Sequence, residues 1–501
     1  MTSEVRRAVG MPQEKKIRMH QRLRVTLATA AVAALTGGLL VAGAGTAAAA
    51  PSGLQGDFNG DGYRDIAVSA PRAAAGGKGG AGYIAVVYGT RNGLDKSKHA
   101  LISQATTGIT GVPEEGDAFG AQLTTGDLDG DGYTDLVAGV PEERIGSTRS
   151  TGVLTVIWGS PTGLRASTDI AAPMPGDQRN ALGLGVAAGD FDGDGRTDLA
   201  AVNNAYSDLF VFRGPISRTG ESAGRTELSV TNSTGITPRR LVAGRVDGDR
   251  AADLLVMGIR ETDGDYVNAG VLYSGRATGL KEVGTVAGGR AGVIADVDKD
   301  GYGDIVTGEP MEKRAQEPDG GHGGALTVTY GGADGLSTRP RVRIDQDTPG
   351  VPGAAERFDE FGWSLSAGDT DGDGYADVAV GAQSETLGTS TFGAGMVTVL
   401  RGSAAGLTGT GSRSFTQDTA GVPGVAEDHD HFGGAVQLVD SNNDGRAELV
   451  AGAYGENGNA GSVWLVRAGA SGITATGSTS FGSLSVGGPG GFGYFGEVLA
   501  D

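Results

Sequence analysis

The stretch Gly126-Asp-Leu-Asp-Gly-Asp-Gly-Tyr-Thr-Asp135 constrains this chain more than any other. Asp127, Asp129, Asp131 and Asp135 set four carboxylates at spacings of two, two and four, and Gly132 follows the third. Alternate spacing turns successive side chains to one side, and the glycine permits the sharp bend that returns the last one. Carboxylates gathered this way repel one another unless a hard cation lies among them, and an all-oxygen donor set suits calcium. The short apolar run 136–140 comes next, so the loop feeds a β-strand. With no flanking helices and no systematic Glu at position twelve, the loop is not an EF-hand.

The pattern returns along the chain. Calling its first Asp position one, the candidate ligands are positions one, three, five and nine, plus the backbone carbonyl at seven. They are Asp57, Asn59, Asp61, Tyr63 and Asp65 in the first loop. Asp127, Asp129, Asp131, Tyr133 and Asp135 form the second, and Asp190, Asp192, Asp194, Arg196 and Asp198 the third. Later copies hold Asp296, Asp298, Asp300, Tyr302 and Asp304, then Asp369, Asp371, Asp373, Tyr375 and Asp377. A looser copy has Asp440, Asn442, Asp444, Arg446 and Glu448. A degraded one, 245–253, has Arg245 for the first ligand and Arg250 for the glycine, with Arg250 expected to offset Asp247, Asp249 and Asp253. Starts at 57, 127, 190, 245, 296, 369 and 440 mark a repeat architecture of 51 to 73 residues per unit.

Residues 1–49 read as a secretory leader. Arg6, Arg7, Lys15, Lys16, Arg18, Arg22 and Arg24 precede an apolar run over 27–41, and small residues end just before Pro51. Cleavage is expected after Ala49, leaving an exported chain of 50–501. The competing reading is an uncleaved anchor, against which the Gly37-Gly38 interruption stands. No later stretch is long and apolar enough to span a bilayer as a helix. Without the leader, 58 acidic and 33 basic residues give a charge of −25, which excludes nucleic acid and anionic lipid as favoured partners. Much of that charge is the loop ligands themselves. There is no cysteine, so an exported chain with 92 glycines needs metal clips rather than disulfides to fix its loops.

One unit, 119–188, shows the build. A strand over 119–123 runs into the Asp loop, 136–140 is a second strand closed by Pro141, and 153–158 is a third, alternating and β-branched. A turn over 159–163 precedes a fourth element from Leu164. Four strands per unit without helical periodicity predict a propeller blade, and seven loops predict seven blades. The first loop has no Phe-Gly strand ahead of it, whereas the chain ends on Phe495-Gly496 with no loop behind. The C-terminal strand is therefore expected to complete the N-terminal blade and close the ring. A monomer is expected.

Phe119-Gly, Gly126-Asp127 and Gly139-Val-Pro141 together resemble an FG-GAP repeat, as in the seven-bladed propeller of integrin α subunits; Ser69-Ala-Pro71, Gly308-Glu-Pro310 and Gly381-Ala-Gln383 fill the same place elsewhere. The resemblance covers essentially all of 50–501. It implies calcium in the Asp loops on one face of the disc and ligands on the other. The order of connections agrees, since the second-to-third and fourth-to-first loops share that other face. They are long and varied here, at 72–82, 142–152, 311–324 and 384–395, and around 111–113, 350–352 and 421–423.

Little else suggests chemistry. His429-Asp-His431 lacks a third ligand and reads as solvated loop; Trp158 and Trp464 read as packing on third strands, and Trp363 as core or near-core. No nucleophile elbow, Walker loop or Arg-Gly-Asp tripeptide is identified. The expectation is a non-enzymatic binding or adhesion module for an extracellular protein or glycan. The alternative is a hydrolase or lyase with carboxylates or histidines gathered near the axis on the long-loop face.

Overall fold

The computed structural model describes residues 52–145, 150–171, 181–203, 208–312 and 320–500. The leader lies outside the described residues, as do parts of two long loops, 146–149 and 313–319. The described residues form seven four-stranded antiparallel sheets and one two-stranded ribbon, Gly331–Gly332 with Gly335–Leu336. In the second blade the strands are Gln122–Gly126, Asp135–Val140, Val153–Ile157 and Ser167–Ala171, paired in chain order. Here the first strand starts three residues later than the sequence suggests. Phe119 and Gly120 sit in a turn before the ladder begins. In the sixth and seventh blades the strand does open on Phe-Gly, at Phe361–Gly368 and Phe432–Val439.

Burial follows position in the blade. Second strands such as Asp135–Val140 and Asp377–Ala382 are buried throughout, which is why they read as unbroken apolar runs rather than alternating ones. Outer strands such as Asp95–Ile102 are largely exposed. Pleating still sorts the second strand's side chains. Ile66, Val68 and Ala70 join apolar side chains of the seventh blade, whereas Ala67 joins those of the second. The described residues form seven such apolar clusters, one at each blade boundary. Phe119, Phe361, Phe432 and Phe495, fully buried, each plug one of them.

The ring closes as the sequence implied. Val498–Leu499 pairs with Ile66–Ala70 (Val68 opposite Leu499, Ser69 opposite Val498) and becomes the innermost strand of the first blade. The Gly496 and Ala500 amides donate to the Ser69 and Ala67 carbonyls at 3.2 and 3.1 Å, lengthening that ladder. A single helical turn, Val230–Thr234, joins the third and fourth blades where no helix was expected; five residues are too few to show a 3.6 period. No helix among the described residues is long and apolar enough to cross a membrane.

Three struts brace the long-loop face. Gln104 Nε2 donates to Glu143, Gln346 Nε2 to Glu385 and Gln417 Nε2 to Glu456, at 2.7, 2.7 and 2.5 Å. Each glutamine follows the outer strand of one blade, and each glutamate lies beyond the second strand of the next. Burial pushes all three glutamates up to about 7.

Candidate metal centres and the opposite face

Each Asp loop joins the first strand of its blade to the second, so all lie on one face. Within the second loop, Asp127 folds the chain around itself. Its Oδ1 accepts the amides of Gly130 (2.9 Å) and Asp131 (3.1 Å), and its Oδ2 accepts that of Gly132 (2.9 Å). Asp131 Oδ1 accepts from the Tyr133 amide at 3.0 Å. Gly132 has φ 88°, the left-handed bend that the sequence required at position six. The result places one oxygen each from Asp127, Asp129 and Asp131 within 4.8 Å of one another. Asp190, Asp192 and Asp194 converge likewise, as do Asp296, Asp298 and Asp300, and Asp369, Asp371 and Asp377. The first and seventh loops put Asn59 and Asn442 at position three, each accepting the amide of the residue two places on. An oxygen-only set of carboxylates pulled together against their own repulsion fits a divalent cation.

The ninth residue plays a second part that local spacing did not reveal. Asp135 is fully buried; its Oδ2 accepts the Leu128 amide at 2.9 Å and its Oδ1 the Gly159 amide at 2.8 Å. The same pair of bonds ties Asp65 to Phe58 and Gly89, Asp198 to Phe191 and Gly214, and Asp304 to Val297 and Gly331. Position nine thus staples the metal loop to the end of the third strand. The glycine there is obligatory, because a Cβ on Gly159 would lie 2.4 Å from the Thr134 carbonyl oxygen. The seventh blade has Ala468 in that place, and its longer Glu448 keeps the bond from the position-two amide, Ser441, but accepts from Asn442 Nδ2 rather than from the strand end. Burial, only partly offset by the two amides, pushes Asp65 and Asp135 up to about 8, Asp304 to about 7, and Asp198 and Asp377 to about 6.

Arginines from neighbouring turns meet the outer oxygens. Arg218 bonds Asp129 (2.6 Å) and Asp131 (2.8 Å), Arg339 bonds Asp298, and Arg401 reaches Asp371 and Asp377. The degraded fourth loop is organised differently from the expectation. Asp253 keeps its staple to Val246 and Gly275, and Asp247 is buried and accepts from Ser274 Oγ at 3.0 Å. No ion pair among the described residues joins Arg250 to these carboxylates.

On the opposite face, where the first strands begin, they enclose the mouth of a channel of about 1180 Å³. Strand Phe361–Gly368 spans the disc in eight residues, about 25 Å. Trp363 is not core. It faces the channel with the Arg290 guanidinium 3.5 Å above its ring. His431 is half-buried, not a solvated loop residue. It stacks on Tyr454 at 4.8 Å, its Nδ1 is 3.1 Å from the Gln383 carbonyl, and burial lowers its pKa; His429 is exposed. Tyr454 donates to Gln383 Oε1 (2.9 Å), and Gln383 Nε2 donates to Glu360 (2.8 Å). Tyr494 lies 6.0 Å from Tyr454 and under Arg72, which pairs with Glu497 at 2.8 Å. Sequence held one clue to this cluster: Gln383 and Tyr454 stand where Pro71, Pro141 and Pro310 end the same strand elsewhere. Trp158 and Trp464 are buried packing, as expected. Gly220–Gly224 does carry the Gly-x-Ser-x-Gly spacing, but in a turn between strands Asp208–Arg213 and Gly224–Ser229, not a strand-to-helix elbow.

Comparison with known proteins agrees with this architecture. The FG-GAP repeat family matches residues 49–87, 119–157, 288–329, 361–400 and 432–466, and the FG-GAP-like repeat matches 190–256. Integrin alpha-PS2 of Drosophila melanogaster is 31% identical over 235 residues, covering 40% of this chain and 15% of its own length. Phosphatidylinositol-glycan-specific phospholipase D of Rattus norvegicus is 32% identical over 143 residues, 28% of this chain and 17% of that protein. The chain thus spans less than a fifth of these two relatives. Among solved structures, the exotype rhamnogalacturonan lyase YesX aligns over 84% of this chain and 72% of its own at 16% identity, with a TM-score of 0.41. With its repeats matched and its seven blades closed into a ring, this chain belongs to the FG-GAP repeat family of integrin α-like β-propellers.

Proposed function

We propose that this is an exported β-propeller, stabilised by calcium, that binds an extracellular protein or glycan on the face opposite its metal loops. Asp127, Asp129 and Asp131 and their counterparts in five other blades would hold the ions, which compensate carboxylate repulsion and stiffen each hairpin. The observation that carries the reading is the difference between the two faces. One repeats a single acidic turn, whereas the other gathers Arg290, Trp363, Tyr454 and Tyr494 around the channel mouth, with His431 stacked on Tyr454. Rings and paired charges on a rigid scaffold are what recognition uses. Screening the purified protein against glycan and surface-protein arrays, with calcium and with EDTA, tests this. Calcium-dependent capture of a ligand is expected; a blank in both conditions overturns the proposal.

A second reading is an extracellular hydrolase or lyase at the same place. It is favoured by Glu497 and Tyr454, which line the channel, with His431 stacked on Tyr454. Release of products from a polysaccharide panel, abolished by Tyr454→Phe or His431→Ala, would establish it over the binding role.

A further inference from the structure

The geometry points to a carboxylate pocket at the channel mouth, shaped for an acidic sugar residue, in which Arg290 lying on Trp363 takes the carboxylate and Glu497 accepts from hydroxyls. This rests on reading that face as the ligand face, and it names the chemistry of the ligand.

Arg290 is a cation without an anion of its own. Its Nε is buried and meets no acceptor among the described residues. Glu360, Glu309 and Glu497 act on it through space, but no carboxylate among the described residues pairs with it. Glu360 Oε2 accepts from Gln383 Nε2 and Ser384 Oγ (2.8 and 2.7 Å), and both Glu309 oxygens accept from Asn268 Nδ2 (3.1 and 2.9 Å). Burial brings Arg290 down to about 10, and Arg240 adds repulsion that Glu360 and Glu309 only partly offset. A guanidinium laid flat on an indole is already oriented, so the fork is held for a planar anion at little further entropic cost. An incoming carboxylate would relieve the uncompensated charge.

The surroundings favour a sugar over an acidic peptide. Glu497 lines the same cavity; its Oε1 pairs with Arg72, while its Oε2 is buried without a donor. That oxygen needs a donor, which a pyranose hydroxyl next to the carboxylate supplies. Tyr454 and Tyr494 line the cavity beside it and offer flat faces for the C–H side of a ring. Tyr454 is held in place from behind by Gln383 and Glu360. With a net charge of −20, the protein disfavours a dense polyanion, so the fit is to one carboxylate among hydroxyls.

Calorimetry of the purified protein in saturating calcium tests the assignment. Its probes are short oligosaccharides of galacturonic, glucuronic and mannuronic acid, their carboxyl-reduced counterparts, and an aspartate-rich peptide. At least one uronic-acid oligosaccharide is expected to bind, and to bind tenfold or more weakly once its carboxyl is reduced. Arg290→Gln is expected to lose tenfold or more and Arg290→Lys less, with calcium-dependent melting unchanged in both. Failure of every uronate to bind, unaltered affinity in Arg290→Gln, or preference for the peptide overturns the assignment. An array ligand that binds Arg290→Gln as well as wild type removes this inference alone; arrays blank with and without calcium remove the broader reading as well.

Discussion

Two aspartates of one loop separate structure from ion binding. Asp135 satisfies two buried amides, whereas Asp129, at position three, meets only the Asp131 amide and the Arg218 side chain. Leaving a buried donor unpaired costs about 1–3 kcal/mol, so Asp135→Ala should lose about 2–5 kcal/mol whether or not calcium is present. Asp129→Ala should lose stability only in calcium. Denaturant titration of both variants, with calcium and with EDTA, checks this; equal behaviour of the two would refute the division of labour. The convergence of Asp127, Asp129 and Asp131 was legible in the sequence because they fall within five residues. The staple was not, because Asp135 and Gly159 are 24 residues apart and meet only when the third strand pairs. The contact of Trp363 with Arg290 was not legible for the same reason, since Arg290 lies in the preceding blade.

Blades were legible wherever turn glycines and apolar runs punctuate them, and least so where a connection is a single helical turn such as Val230–Thr234. At this scale acidity matters most. Five ninth-position carboxyls, Asp65, Asp135, Asp198, Asp304 and Asp377, have folded pKa values raised by burial to about 6–8, above their unfolded values. A raised carboxyl pKa means the folded state holds the extra proton. Its stabilising share is complete at acid pH and is lost as pH rises through about 6–8. In EDTA the melting temperature should therefore fall from pH 5 to 8. A calcium ion held by positions one, three and five would draw the adjacent ninth carboxyl to its ionised form, so the increment in melting temperature on adding calcium should widen over the same range; calorimetric scans showing a constant increment would contradict the assignment. The struts give a companion case. Glu385→Gln keeps a hydrogen-bonding partner for Gln346 and removes a buried charge, so it should raise the melting temperature at pH 8 and leave it nearly unchanged at pH 5.

The ring as a whole was readable from its two ends, since Phe495-Gly496 lacks a loop and Asp57 lacks a Phe-Gly strand. Closure rests on a short ladder, Val498–Leu499 against Ile66–Ala70. Removing 498–501 should uncover the edge of the first blade and produce concentration-dependent association, seen by light scattering where the intact chain stays monodisperse. One joint in this circle differs from its neighbours. The turn 245–253 is tied by Ser274 and by amides of its own blade, so its shape does not depend on a dissolved ion. When free calcium runs low, slackening should be lopsided: amides of the fourth blade should keep their protection from deuterium exchange after those of the second and third have lost theirs. The ligand face would then distort from one side, making the protein a directional gauge of the salt around it and not a simple on-off clamp.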